Sequence, residues 1–426
     1  MKRLRLIAAA AAALYATAAL AGGSFDQYPK VGSSGGSGVP AGPSFLTGSE
    51  TIPMDTGLAG GVSPQTVIAP ITALGNYGGT PRNYLDNAAL NVTNTNGTST
   101  VTGQINAAAA AAVNMAADRW LLSTNVASGA GRSAIVTSSP TPPTGFSNVM
   151  KVYRTSGALT QPICVHQAIP SANAVALQGK QLTLSFHAAA LAGLAADNGN
   201  VISAVVYTGT GTDERYGSWT ASPAITPAWT GIATAKNQSF TITTTFTRYA
   251  TQVTIPATAT EVGVALCFTP TATGAGATDG FAWTGAQLEV GSAASPFEFV
   301  RKQDDLVRAQ QFFYKISEGA GPTPRAMCTV TTANTTMQCL LPLPQTLYAS
   351  GTFTFANGFA VPTTTADTAL TACTGFAVSA LPAANVGQTE AVMAQCTSGG
   401  TTAAVGLALP LYDNGGSGSF TAWAGM

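Results

Sequence analysis

The sequence predicts a mostly β protein: a β-sandwich followed by a smaller C-terminal β domain, with an extended Gly/Pro-rich segment ahead of both. Three observations carry that reading. The 426 residues weigh 42.8 kDa, so the side chains are small. The 46 Gly and 24 Pro make up about one residue in six, against a usual ~12%. Charged residues supply only 8%, 18 basic against 18 acidic, which excludes a long-helix or coiled-coil protein and leaves no basic surface for nucleic acid. The hydrophobic residues, 46% of the chain, fall in short patches between Thr/Gly-rich turns, a pattern of strands and not of disorder.

Residues 1–21 read as a signal-like hydrophobic segment. MKRLR is basic, LIAAAAAALYATAALA is apolar, and Ala19-Leu20-Ala21 before Gly22 is a small-residue cleavage pattern. Cleavage removes Lys2, Arg3 and Arg5 and leaves a formal charge near −3. The apolar stretch falls short of the ~20 residues that span a bilayer. Retention as an Ala-rich helix is the alternative. Residues 22–80, including VGSSGGSGVPAGPS, hold no sustained period. They are expected to lack a core of their own and to order only along another surface, as an anchoring segment.

Residues 81–300 collect the strand signals of the sandwich. The Ala-rich run 107–117 favours a helix by propensity alone. In QLTLSFHA, Leu182, Leu184 and Phe186 share one face while Thr183, Ser185 and His187 share the other. VISAVVY reads as a buried strand, FTITTTFTRY as one strand aligning Phe240, Ile242, Thr244 and Phe246, and QVTIP, EVGVALCF and FAWTGAQLEV continue the set. Such strands need two facing sheets to bury their apolar sides. Residues 301–324 form a short helix or linker. Asp304 can cap DDLVRAQQFFYK, while QQFFYKI already favours a strand, so a boundary falls within it. Residues 325–426 hold further strand candidates from AMCTVTT to SGSFTAWAG and make the second β domain.

Chemistry-bearing motifs are sparse. The two histidines, His166 and His187, belong to no HExxH or His/Cys cluster, and no GxSxG elbow occurs. No metal, cofactor or catalytic residue is assigned, and the chain reads as non-enzymatic. Asp213 and Glu214 lie in the polar loop TGTGTDERYGSW, but adjacent residues on a strand point opposite ways, which disfavours glycoside hydrolysis. The same window carries Arg215, Tyr216 and Trp219, with Trp229 beyond. Sugar rings stack on indole and phenol faces while Asp and Arg satisfy hydroxyls, so Asp213, Arg215, Tyr216, Trp219 and Trp229 form a candidate glycan platform. The competing reading has the tryptophans covering the sandwich core. Trp120, Trp283 and Trp423, flanked by strand-like sequence, read as core.

Six cysteines allow 15 pairings. Cys164 and Cys267 fall in the sandwich, and Cys328, Cys339, Cys373 and Cys396 fall in the C-terminal domain, which permits one bridge and two. Cys328 and Cys339, eleven apart across a hairpin expected through TTANTT, are the easiest pair to bridge; buried free thiols are the alternative.

The stretch WTGAQLEVGSAASPFEFVRKQDDLVRAQQFFYKI resembles a junction found in tailed-bacteriophage tail-fibre and virion-surface proteins. There a jelly-roll, carbohydrate-binding-like domain ends on an AQLE-x-G strand and a Pro-Phe-Glu turn. Trp283, Ala286, Gln287, Leu288, Glu289, Gly291, Pro296, Phe297 and Glu298 match that pattern. The family's following Cys and Arg are absent, and Ala309, Gln310 and Gln311 precede Phe312, Phe313 and Tyr314 instead. Asn83 to Leu90 is similar to the family's opening strand, and Asp118-Arg119-Trp120 to its DRW. The resemblance implies a jelly-roll-like sandwich in a non-enzymatic virion-surface protein that contacts host glycans and binds other virion proteins through its N-terminal segment. The signal-like N-terminus departs from it. A secreted or cell-surface bacterial β-sandwich lectin or adhesin, and a capsid or matrix protein without receptor binding, are the alternative readings. Low charge and Thr-rich strand edges predict a homo-oligomer, and the fibre resemblance favours a trimer.

Overall fold

The computed structural model describes residues 51–55, 66–70, 82–93, 101–102, 104–105, 115–124, 132–155, 160–214, 219–220, 226–227, 229–271, 279–316, 323–332, 335–348, 352–355, 359–362, 370–373, 375–382, 389–397, 405–406, 408–413 and 420–423. Two units are delimited, 1–80 and 81–426. In the first, Thr51–Asp55 and Thr66–Pro70 pair as an antiparallel ladder. The signal-like residues 1–21 and most of the Gly/Pro-rich segment lie outside the described residues.

The second unit is mostly β. Its sandwich strands are β1 (Met115–Ala117), β2 (Trp120–Thr124), β3 (Arg132–Thr137), β4 (Val149–Arg154), β5 (Ile163–Ile169) and β6 (Gln181–Ala190). They continue with β7 (Val201–Gly209), β8 (Ala233–Thr241), β9 (Thr247–Thr254), β10 (Glu261–Phe268) and β11 (Gly280–Val290). One sheet runs β9-β6-β11-β4-β3 and ends on the short strand 101–102. The other runs β8-β7-β10-β5-β2 and ends on 104–105, with β1 paired to β2. The chain passes repeatedly from one sheet to the other, as in a jelly-roll-like sandwich.

The alternation read in β6 holds. Leu182, Leu184 and Phe186 enter the shared core, where they meet Ile202, Ala204 and Val206 of the opposite sheet. Trp120 and Trp283, both fully buried, close the gap between sheets edge to face at 4.5 Å. In β11 the alternation breaks at Gly285, which adopts φ 62°, and the pairing with β6 slips there. This bulge lets Phe281 and Trp283 and then Ala286 and Leu288 all face the core. At the far end of β11 the guanidinium of Arg154 lies between two buried carboxylates, 2.7 Å from Asp279 through Nε and 3.2 Å from Asp197. The carboxylate of Asp279 presses on Gly193, where a Cβ would lie 1.9 Å from its Oδ1.

Four expectations change. FTITTTFTRY is not one strand: β8 ends at Thr241, and β9 begins at Thr247 in the other sheet. Ile242 donates to Asn200 O and Thr243 Oγ1 to Thr245 O, so the intervening residues make a corner. Met115–Ala117 extends as a strand, because pairing with β2 and burial outweigh alanine's helix propensity; residues 106–114 lie outside the described set. Asn83 to Leu90 forms bends and turns, since its backbone and side chains serve the end of β11. Finally, α1 (Lys302–Gln310) starts before Asp304, with extended Arg301 as its N-cap and Asp304 and Asp305 inside the first turn.

After α1 the chain enters β12 (Phe313–Ile316), which pairs with Phe420–Trp423, itself paired with Thr352–Phe355. A seven-stranded antiparallel sheet faces this one. From edge to edge its strands are Leu370–Ala372, Phe359–Pro362, Ala408–Asp413, Thr323–Thr332, Thr336–Leu347, Thr389–Thr397 and Gly375–Pro382. Cys373, just past one edge strand, is bonded to Cys396, one strand in from the other edge. Both are buried with Val330, Leu341, Phe359 and Phe420, so the sheet curls into a half-barrel around its own core. Cys328–Cys339 and Cys164–Cys267 each join residues directly opposite in register. Closing a loop of about 100 residues, as the latter does, restricts the unfolded chain by roughly 4.7 kcal/mol in the chain-entropy model.

The inter-sheet tryptophan contact yields a prediction. Trp283→Ala should destabilise the protein by about 3–5 kcal/mol in urea unfolding, while Trp283→Phe, which retains a ring against Trp120, should lose distinctly less.

Candidate functional site

Of the predicted platform residues, only Asp213 and Trp229 have described side chains. Arg215 and Tyr216 lie outside the described residues, and Trp219 is described only through its backbone, in the short ladder of 219–220 with 226–227. Trp229 is 4% exposed. It packs with Val205 and Tyr207 of β7, Cys164 of β5, Cys267 of β10 and Phe313 of β12. For Trp229 the core reading holds, because its ring covers the outer face of the seven-stranded sandwich sheet.

Asp213 and Glu214 anchor a tight corner instead. Asp213, at φ 52°, accepts from Ser171 N at 2.8 Å, and Ser171 Oγ accepts from Asp213 N at 2.8 Å. The phenol of Tyr348 also bonds Asp213. Glu214 accepts from Thr230 through both carboxylate oxygens, while its carbonyl accepts from Trp229 Nε1 at 3.1 Å. A third carboxyl, absent from the sequence reading, completes the corner. Glu261, 2% exposed at the start of β10, accepts from Glu214 N at 2.5 Å. Burial pushes Glu261 up to about 7. Glu214 N opposes that rise, while the Glu214 and Asp213 charges add to it. Glu214 moves the other way, because the Thr230 hydroxyl donating to it favours the anion.

The outer face of the six-stranded sheet differs in kind. Gln181, Thr183, Ser185 and His187 follow one another along β6, over about 20 Å at the usual strand rise. At one end a cleft of about 630 Å³ wraps the edge strand β9, lined by Gln181, Thr183, Lys236, Gln252, Thr254 and Ser292 among others. At the other end Phe146, Phe297 and Phe299 cluster with centroids 4.9–5.0 Å apart, and His187 lies 5.2 Å from Phe146. Phe299 is 56% exposed, its ring lying over Gly145. Between the two, Arg248 donates to Ser185 Oγ at 2.9 Å and to Ser295 O at 2.5 Å. Burial and the Arg248 charge push His187 down, which favours neutral imidazole. The sequence signal for this aromatic group was weak, because Phe146 is separated from Phe297 and Phe299 by about 150 positions.

The residues that carry the phage-protein resemblance meet in one buckle over β11. Asn83 accepts from Leu288 N and donates to Ala286 O, both at 3.0 Å. Glu289 accepts from Ser295 N, Gln287 Oε1 from Glu298 N, and Glu298 from Asn83 N, each at 2.7–2.8 Å. Asn87 and Asp86 extend the buckle. Asn87 N donates to Asp305, which burial pushes up to about 6, and Asp86 accepts from Arg119, whose guanidinium lies 3.6 Å over Phe312. His166 is buried and held neutral by desolvation, in contact with Ser123. It is a packed polar group inside the fold and does not line a cleft.

No protein-family model matches the chain, and no curated protein is similar to it by sequence. Among solved structures, the enzymatically active domain of tailspike protein 4 from bacteriophage CBA120 is 13% identical at a TM-score of 0.25. That match covers 40% of this chain and 19% of the tailspike, so the chain spans about a fifth of that protein. TmCBM61 in complex with β-1,4-galactotriose is 12% identical at 0.26, over 50% of this chain and 100% of that one. The CBM22-1 xylan-binding domain from Paenibacillus barcinonensis Xyn10C is 11% identical at 0.24, over 41% and 87%. Matches this weak carry no argument about function, and the sandwich rests on the strand pairing above.

The position of Trp229 has a measurable consequence. Trp229→Ala should lower stability by about 3–5 kcal/mol in chemical unfolding, as a core truncation does, where an exposed platform residue would change it by less than about 0.5.

Proposed function

We propose that the chain is a non-enzymatic carbohydrate-binding β-sandwich protein of the secreted or cell-surface lectin or adhesin kind. The observation that carries this reading is the asymmetry of the two sandwich faces. The outer face of the seven-stranded sheet is occupied by Phe313, Trp229 and their neighbours. That of the six-stranded sheet offers a polar cleft beside one end of β6 and, near His187 toward the other, an aromatic cluster whose Phe299 is exposed. Amide and hydroxyl groups suit sugar hydroxyls, and phenyl rings suit the apolar faces of pyranoses. Three disulfides and the signal-like first 21 residues fit an oxidising compartment.

A phage virion-surface role is the second reading, favoured by the way the matched residues Asn83, Arg119, Gln287, Glu289 and Glu298 meet in the β11 buckle. Adjacent tail or capsid genes would support it; adjacent secretion or pilus genes would support the first. In either setting self-association is expected. Light scattering on the chain from Gly22 should give a multiple of the monomer mass, three-fold if the fibre resemblance extends to assembly, and a monomer at micromolar concentration would reject it.

The glycan reading is tested on immobilised polysaccharides and glycan arrays. Binding by the full protein should fall roughly tenfold or more in Phe299→Ala and in Gln252→Ala, with unfolding midpoints unchanged, since both side chains are exposed. Binding that survives both substitutions in folded protein would move the site elsewhere.

A further inference from the structure

We propose that the outer face of the C-terminal seven-stranded sheet is an interface between two copies of this chain, packed sheet on sheet about a two-fold axis. Alternation along four neighbouring strands builds that face. Cys328, Leu341, Val392 and Leu409 enter the half-barrel core, so the adjacent residues Met327, Leu340, Met393 and Pro410 point outward. Register then sets these four in one row: Pro410 lies opposite Met327, Met327 opposite Leu340, and Leu340 opposite Met393. With the whole chain in place, Met327 is 58% exposed and Leu340 48%. Apolar side chains scattered singly over a surface are ordinary, whereas a contiguous row across four strands marks an interaction site. The adjoining row, Thr329, Gln338 and Gln395, is exposed as well and gives the apolar one a polar, uncharged border.

Charge, shape and area point to a second copy as the occupant. No Asp, Glu, Lys or Arg occurs in 326–332, 336–347, 391–397 or 408–412, so these segments offer nothing to pair with a phosphate backbone or a charged peptide. A copy of the same face fits, because neither side then desolvates a charge. The sheet curls around its core, so its outer face is convex and meets a partner at the crest. The row occupies the third to sixth of the seven strands, across that crest. An axis lying in the interface between Thr323–Thr332 and Thr336–Leu347 sets Met327 against the copy's Leu340 and Leu340 against the copy's Met327, the exchange that a two-fold contact requires. Four strands ~4.8 Å apart, with about seven residues at ~3.4 Å along each, project roughly 450 Å² per copy. Two copies together fall near or below the ~1,200 Å² at which standard interfaces begin, the range of weak and reversible association.

The proposal gives a surface to the self-association expected above, on which it rests. It is independent of the glycan reading, because the cleft beside β9 belongs to the sandwich.

Sedimentation equilibrium of the full protein between about 1 and 200 μM tests it. The wild type should fit a monomer–dimer equilibrium with a micromolar Kd. The double substitution Met327→Glu with Leu340→Glu should weaken that equilibrium tenfold or more, since it sets like charges against each other across the axis. Val175→Glu, at a 46% exposed apolar position on the sandwich, should leave it unchanged. A second readout uses the wild type alone. Oxidation of Met327 by excess hydrogen peroxide, followed by peptide mass spectrometry, should slow severalfold from the dilute to the concentrated sample. A wild type that stays monomeric overturns this proposal and the self-association together. Association that a folded double variant retains, or that Val175→Glu removes equally, overturns the face and leaves self-association standing. Met327 oxidation independent of concentration in associating protein overturns the face whether or not the variants fold, and a trimer as the sole oligomer overturns the two-fold contact.

Discussion

Burial of the central strands of the seven-stranded sandwich sheet on both faces governs this protein. Its inner face meets the other sheet across Trp120 and Trp283, and its outer face is covered by Met115, Trp229 and Phe313. Strands β5 and β10 are accordingly buried along their whole length. A sheet dry on both sides must satisfy every polar group internally, because an unpaired one costs about 1–3 kcal/mol. Ser123 with His166 and Glu261 with Glu214 N answer that demand.

That constraint also assigns the surfaces. With much of one outer face taken by the protein itself, the six-stranded sheet is the sandwich sheet whose outer face carries a cleft among the described residues. Much of that face is occupied by the strap 291–299, held by Gln287, Glu289 and Arg248. What remains open is the cleft beside β9 and the phenylalanine cluster at the strap's end. The strap therefore both covers the polar residues of β11 and supplies Phe297 and Phe299.

Strand β12 is the hinge of the architecture in a packing sense. Successive side chains point to opposite faces, so Phe313 enters the sandwich cluster while Ile316 enters the C-terminal core. One four-residue strand thus commits the sandwich and the half-barrel to a common geometry, and the 210–214 corner, through Trp229, lies against it.

Much of this was legible in the residues. Period-two alternation in QLTLSFHA gave the apolar side of that strand, VISAVVY read as a buried strand and EVGVALCF as a further one, because side-chain direction follows from strand geometry alone. The break between helix and strand within DDLVRAQQFFYKI was likewise visible as a change from helix formers to aromatic residues. Local chemistry could not reveal which sheet face is covered, since that depends on Phe313 and Trp229, 84 positions apart, arriving at the same surface. Nor could it show that Glu214 meets Glu261, or that Phe146 meets Phe297 and Phe299. An indole in a polar loop reads equally as platform or core until the sheet it lies against is known. The sequence alone determined strands such as β6, β7 and β10 and the apolar side of β6, which short-range sterics and hydrophobic alternation encode; the corner at 242–246, the strand at 115–117, pairing across long loops, and with it the site, were decided only by tertiary structure, because those contacts depend on where distant segments finish packing.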